Sequence, residues 1–542
     1  MAAILLVEDD PRQLETRRLM LQRQGHDVRT AATREEALAQ FAASEPDFVV
    51  MDLRIPETAD GRALIRKFRV KSKRVRIVVV TGWPEDLEEA PEAVLVNQVM
   101  RKPVRGEALA QTLSRLALWI LALALCRPLL AQRTFDFRMD RPGEAVAELT
   151  MSVPGCEWGT PGKEAAILTL ETLGAPPQHL TLFAGARRYR YSVFLGPLSA
   201  GAHQLRISRN DLSAAGCPTF EVQEAKLRPV ADSDWALRHA PILYARKNTI
   251  GHFTDVPMIL YYTEDQKNGR KELEYTFIFS NEDGGTSSRD LLARWGRVAD
   301  IEFVYRLELN ADGSPRHALI QAKDHKEIEY EGPRLGWHPT LEVNTDNNMV
   351  QSGGESALRY QLLPRKADLS GGSRELVLDD DPVLYEVPAR EMEREDKLRP
   401  NGTREGRKIA DPRRYLVVEF TSQQFDSVIQ VMLQLKGADR WLGSSVGRTD
   451  NFVPRPGWAR LALELPPGKS ASDVASLGFQ CMVFHDPKRK DNPETGHCVV
   501  ESVGKVFELT DDYRPGPSLW KKSVPSGGWT LDAGEFLPLS LQ

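Results

Sequence analysis

Three short apolar runs, Ala3–Val7, Asp47–Met51 and Arg76–Val80, are followed by a fourth at Val94–Met100. They are nearly continuous in Ile, Leu and Val, as expected of parallel strands covered on both faces. Between them, apolar positions recur at helical spacing over Pro11–Gln24, Arg34–Ala43 and Gly61–Val70. The alternation predicts a doubly wound α/β domain over residues 1–115. Trp83–Pro91, where a fourth helix belongs, carries Pro84 and Pro91 and leaves room only for a short one.

Beyond residue 132 the pattern changes to short β-type runs separated by turns. Ala145–Val153, Ala166–Leu173, Leu180–Ala184, Tyr189–Leu195 and His203–Ile207 predict an immunoglobulin-like sandwich over 133–225. Residues 230–400 read as a second β-rich domain that ends in a polar linker or surface loop, Leu363–Pro412. Arg414–Phe420, Val428–Leu435, Ala459–Leu465, Gly478–Phe484 and Val499–Phe507 predict a C-terminal sandwich over 410–542. Its Trp441, Trp458, Trp520 and Trp529 suit core packing or, where exposed, stacking on sugar rings.

At 542 residues the chain is long enough for three or four domains. A net charge of −5 and the lack of a helical unit with a basic face argue against a nucleic-acid partner. No cysteine occurs before Cys126. Cys156 and Cys217 flank one β-rich stretch and Cys481 and Cys498 another, which fits two disulfides in an oxidising compartment or four buried thiols.

In a doubly wound sheet, chemistry gathers at the carboxyl ends of the strands, and that is where Glu8, Asp9, Asp10 and Asp52 fall. Carboxylates converging on one edge repel unless a hard cation joins them, and oxygen donors suit Mg²⁺. Thr81 and Lys102 end the next two strands, placing a hydroxyl and an ammonium where transferred phosphoryl oxygens need neutralising. The motifs Ile4-Leu5-Leu6-Val7-Glu8-Asp9-Asp10, Met51-Asp52-Leu53-Arg54-Ile55-Pro56 with Asp60-Gly61, Val80-Thr81-Gly82 and Lys102-Pro103 resemble the receiver domain of two-component response regulators. The resemblance implies a flavodoxin-like fold with Asp52 as phosphoacceptor and Asp9 and Asp52 on Mg²⁺. Glu8 would act through water, Thr81 would contact the phosphoryl group and Lys102 would pair with it. It implies a sensor histidine kinase or phosphotransfer protein as partner, a cytoplasmic location for this domain and no catalysis beyond its own phosphorylation and dephosphorylation. Val99 stands where the family usually has Tyr or Phe, so a ring-rotation switch is not expected.

The last helix of this domain runs into Leu116–Cys126, an apolar stretch too short to span a bilayer, which needs about 20 residues. With Leu129-Leu130-Ala131 it resembles a secretory signal placed far from the N-terminus. Three readings of 116–131 stand: a short tilted membrane anchor, a packed apolar helix, or two adjacent reading frames joined. The first and third place residues 133–542 in the periplasm or outside the cell.

In 230–350, Glu282, Asp283, Asp300, Glu302, His325 and His338 fall at strand ends and loops. They either gather into a metal or sugar site or are ordinary polar residues with local hydrogen bonds. Asp255–Tyr262, Glu274–Thr286 and His338-Pro339 resemble, in order, the vacuolar protein sorting-associated protein 62 family, whose characteristic Gly-Asp-Trp-Glu is replaced here by Ala299-Asp300-Ile301-Glu302. That resemblance implies a β-sandwich and no particular reaction. Known hydrolase signatures are missing from the region. Three functions follow: phosphorelay signalling through Asp52, an exported or cell-surface module that binds a glycan or protein through 133–542, and a hydrolase in 230–400.

Overall fold

The structure is a computed structural model that describes every residue except 1, 73–74, 89, 105, 107, 110, 114–131, 268, 283, 449–450, 486–490 and 542. It separates into two compact units, Met1–Pro128 and Leu129–Gln542.

The N-terminal unit runs β1 (Ala3–Val7), α1 (Pro11–Arg23), β2 (Asp27–Ala31), α2 (Arg34–Ala43), β3 (Phe48–Met51), α3 (Thr58–Lys71), β4 (Arg76–Thr81), α4 (Glu85–Glu88) and β5 (Gln98–Arg101). All strands are parallel, in the order β2-β1-β3-β4-β5, the doubly wound arrangement expected from the alternating pattern. Leu5, Val7, Val49, Met51, Ile77 and Val79 enter one buried cluster, and Ile4, Leu6, Phe48, Val50, Val78 and Val80 enter the other. Both faces of the central strands are therefore covered, which explains why their sequences are apolar without alternation. α4 is a single turn followed by a 3₁₀ segment at Pro91–Leu95, as the two prolines require. β5 starts at Gln98, so the first part of the Val94–Met100 run is spent in that 3₁₀ segment and the link after it.

Two local features place the strand ends. Asp10 caps α1, accepting from Arg12 N at 2.8 Å and Gln13 N at 3.1 Å, and Pro11 occupies the first helical position. Gly61 lets α3 approach the loop after β3: a Cβ there would sit 1.9 Å from the Leu53 carbonyl oxygen.

The second unit is β-rich throughout. Tyr189–Leu198, Gly143–Ser152 and Glu221–Pro229 form a three-stranded sheet, and Arg133–Met139, Gly201–Arg209, Ala166–Thr172 and Gln178–Leu182 a four-stranded one. A six-stranded sheet is centred on Asp300–Leu309 and Arg270–Phe279, and a smaller one on Ile242–Tyr244 and His338–Val343. Two four-stranded sheets built around Tyr415–Phe425 and Ser427–Leu435 close the chain. One buried cluster runs continuously from Met139 to Tyr513, and a second fills the C-terminal sandwich.

Leu363–Pro412 departs from the expected linker. It contains a 3₁₀ segment, Arg374–Asp380, and a helix, Val383–Arg394, whose Val383, Leu384, Tyr385, Val387 and Met392 are buried. Charged residues interleaved with these apolar positions mask the helical pattern, and burial of the apolar face outweighs the segment's polarity. The stretch 116–131, with its signal, anchor and packed-helix readings, lies outside the described residues. Among the described residues no helix is long and apolar enough to cross a membrane.

Candidate functional site

The carboxyl ends of β1, β3, β4 and β5 bring Glu8, Asp9, Asp52, Thr81 and Lys102 to one edge of the parallel sheet. Strand pairing fixes their heights: Asp52 N donates to Val7 O at 2.9 Å and Lys102 N to Thr81 O at 2.8 Å. Lys102 Nζ then lies 2.6 Å from Asp52 Oδ2 and 3.1 Å from Glu8 Oε2. Asp52 Oδ1 accepts from Leu53 N at 2.6 Å, which fixes the carboxylate plane. Glu8 is buried and also paired with Arg17 of α1, whereas Asp9 is exposed. Thr81 is fully buried, and its Oγ1 accepts from Trp83 N at 3.2 Å.

One ligand atom from each of Glu8, Asp9 and Asp52 lies within 4.8 Å of the others. Among the described residues this is the only such group of three acidic, histidine or cysteine ligands. Three carboxylates face two cations, Lys102 and Arg17, so the edge keeps an excess negative charge that suits a hard divalent ion. Glu8 is paired with both cations and Asp52 shares Lys102, so Asp9 is the carboxylate of the three with no cation beside it among the described residues. Asp10 is not part of the group: hydrogen bonds from Gln13 and Arg12 hold its carboxyl below the usual range.

The site opens to solvent through a cleft of about 920 Å³ whose lining includes Asp9, Asp52, Gly82, Trp83 and Lys102. Arg54 stands with its guanidinium carbon 3.9 Å from the Trp83 ring centroid and 2.9 Å from Asp86 through Nη2. Sequence reasoning missed Arg17, Trp83 and Asp86. The position of Arg17 on α1, nine residues after Glu8, was the available signal for the first.

In the second unit the predicted polar cluster is only partly assembled. Asp300 and Glu302 are buried neighbours on one strand, and burial raises both carboxyls above their usual range. Burial, reinforced by Asp300, pushes Glu282 up to about 8. Asn348 Nδ2 donates to Asp300 Oδ2 at 3.0 Å, and Gln321 donates to Glu302 and contacts His325 Nδ1 at 3.1 Å. His338 stands apart, between Ala240 O at 2.6 Å and Glu144 Oε1 at 2.8 Å. Asp283 lies outside the described residues. Cys156 is bonded to Cys217 and Cys481 to Cys498. Trp520 is buried, and Trp441, Trp458 and Trp529 are half-buried. Trp441 meets Phe536 edge-on, and Trp520 meets Trp529 in the same way.

Comparison with known proteins bears on the N-terminal unit. The family model of the response regulator receiver domain matches residues 4–114. The transcriptional regulatory protein AfsQ1 of Streptomyces coelicolor is 33% identical over 111 residues, 20% of this chain and 48% of that protein. The alkaline phosphatase synthesis transcriptional regulatory protein PhoP of Bacillus subtilis is 30% identical over 101 residues, 18% of this chain and 42% of that protein. Protein PilH of Pseudomonas aeruginosa is 25% identical over 116 residues, 21% of this chain and 96% of PilH. The chain thus spans under half the length of the first two. Among solved structures, the Thermotoga maritima response regulator TrrA in complex with Mg²⁺ and BeF is similar at 26% identity, covering 21% of this chain and 99% of that one, with a TM-score of 0.20. The chemotaxis response regulator CheY4 of Vibrio cholerae is similar at 31% identity, covering 21% and 98%, also with a TM-score of 0.20.

Proposed function

We propose, from the premise that residues 4–114 are a response-regulator receiver domain, that this chain accepts a phosphoryl group on Asp52 from a histidine kinase or phosphotransfer protein. The observation that carries the proposal is the contact of Lys102 Nζ with Asp52 Oδ2 at 2.6 Å beside the Glu8–Asp9–Asp52 group. Asp52 Oδ2 is the attacking oxygen, and Lys102 moves from pairing the free carboxylate to pairing the phosphoryl oxygens. Thr81, at the end of β4, would donate its hydroxyl to a phosphoryl oxygen. Asp9 and Asp52 would hold Mg²⁺, with Glu8 acting through water, and the ion supplies neutralisation of the charge on the incoming phosphoryl group.

Purified chain incubated with acetyl phosphate and Mg²⁺ tests this. Peptide mapping is expected to find one added phosphoryl group on the peptide carrying Asp52, and none in Asp52→Asn. Label on another residue, or undiminished label in Asp52→Asn, removes the proposal.

A second reading concerns residues 133–542, where Cys156–Cys217 and Cys481–Cys498 form disulfides of a kind that persists in oxidising compartments. This favours an exported or cell-surface binding role for that region, with a glycan or protein ligand, working apart from a cytoplasmic receiver. Fractionated native cells probed with separate antibodies to 1–115 and 230–542 decide it. A cytoplasmic short species and an exported one support it, and a single full-length cytoplasmic band rules it out.

A further inference from the structure

Three arginines among the described residues are buried: Arg297, Arg359 and Arg460. Arg297 faces Asp300 and Glu375, and Arg460 faces Asp379 and Glu419. Arg359 is 4% exposed and is paired with no carboxylate among the described residues. A guanidinium does not lose its proton in a protein, so its charge must be answered by something else.

The neighbours of Arg359 are neutral. It lies opposite Tyr244 in an antiparallel strand pair. Nη1 donates to Pro176 O at 3.4 Å and Nη2 to Gln361 Oε1 at 2.5 Å. Nε has no partner, and neither has the Gln361 amide nitrogen, although Gln361 is fully buried. The orientation of that amide is fixed, because only its carbonyl oxygen can accept from Arg359. Two unmatched N–H donors and one unmatched positive charge therefore adjoin each other. Water can satisfy the donors but leaves the charge unanswered.

We propose that Arg359 and Gln361 form a binding site for a carboxylate group, the Arg359 Nε edge and the Gln361 amide each donating to an oxygen. One cation matches a monovalent planar anion better than a phosphate dianion. His179, beside Arg359, adds no second charge near neutral pH, because burial lowers its imidazole below the usual range. Of the neighbouring residues, Pro176 and its successor Pro177 are exposed and Tyr244 is half-buried.

Hydrogen exchange of the full chain, read at the amides of Gln178–Leu182 and Arg359–Leu362, tests the site with sodium acetate against sodium chloride at equal ionic strength. Acetate at ten times its half-saturating concentration is expected to slow locally controlled exchange about tenfold, with chloride inert. Inorganic phosphate is expected to act more weakly than acetate. An N-acetylated dipeptide with a free C-terminus, acting at lower concentration than acetate, would assign the carboxylate to a peptide end, and equal potency would assign it to a small acid. Arg359→Met is expected to abolish the effect, and Gln361→Met, which keeps the cation, to weaken it. Equal exchange in acetate and chloride in the unaltered chain overturns the proposal, whether or not either variant folds, as does an acetate effect that survives in Arg359→Met.

Discussion

Lys102 Nζ bridges Asp52 Oδ2 at 2.6 Å and Glu8 Oε2 at 3.1 Å, so a single ammonium ties the ends of β1, β3 and β5 together. It offsets one of the two negative charges it contacts, so its removal leaves the edge more negative and takes away a donor to the incoming phosphoryl oxygens. Lys102→Met is expected to slow acetyl phosphate labelling of Asp52 by roughly 10²-fold, the usual effect of losing one donor to a developing oxyanion. Labelling rates measured on intact protein by mass spectrometry check this. A rate within a factor of two of the unaltered chain would place Lys102 outside the phosphoryl-transfer step.

The same charge excess predicts metal dependence. Mg²⁺ is expected to stabilise the N-terminal unit by about 2.7 kcal/mol at 100 times its dissociation constant, through mass action. Asp9→Asn removes an exposed carboxylate without disturbing the Glu8 pairs and is expected to abolish most of that gain. Denaturant unfolding followed with and without excess EDTA measures both. Equal Mg²⁺ stabilisation of Asp9→Asn would exclude Asp9 as a ligand.

What the sequence revealed and what it concealed follow from the same physics. Asp52 and Lys102 were legible because parallel strands buried on both faces announce themselves as unbroken apolar runs, and the residues just past such runs must meet at one sheet edge. β2 was not legible: Asp27–Ala31 is an edge strand with polar residues in the sequence Asp-Val-Arg-Thr-Ala, too mixed for its periodicity to stand out. The buried helix Val383–Arg394 was hidden by its glutamates and arginines. His338 shows a further limit, since its carboxylate partner is Glu144, 194 residues earlier, and not the acids of its own region. Contacts of that span depend on how sheets pack, which local pattern does not encode.

Arg460 gives a stability prediction of large size. Its Nη2 lies 2.5 Å from Glu419 Oε1 and 2.8 Å from Asp379 Oδ2, and its Nη1 lies 2.9 Å from the Tyr385 hydroxyl. It thereby joins the strand Gly457–Glu464 to the 3₁₀ segment and helix of 374–394. Arg460→Met leaves Glu419 without a cation and Asp379 with only the exposed Lys505, and should destabilise the second unit by about 3–5 kcal/mol. Adding Glu419→Gln to that variant should recover part of the loss, because that unpaired charge is then gone. Chemical denaturation of the single and double variants measures the coupling, and strict additivity would show that the pair does not interact.

Glu391 predicts the pH dependence. It is fully buried on the helix Val383–Arg394, and its Oε2 accepts from Trp158 Nε1 at 3.1 Å. Burial pushes its carboxyl up to about 8, helped by Glu395, while Ser280, Arg394 and Lys397 act in the opposite direction. The folded chain therefore holds this proton over a range in which the unfolded chain, with the ordinary value of 4.5, has released it. The folded state binds more protons across that window, so stability is full below about pH 4.5 and falls as pH rises towards about 8. One group contributes a slope of at most about 1.4 kcal/mol per pH unit. Glu282, raised for the same reason, adds to the slope. Glu391→Gln keeps an acceptor for Trp158 but cannot ionise, so the variant should lose one proton's share of the pH dependence and gain most at pH 8 and above. Urea unfolding of both proteins from pH 5 to pH 9 provides the comparison, and parallel stability curves would mean that Glu391 does not titrate in this window.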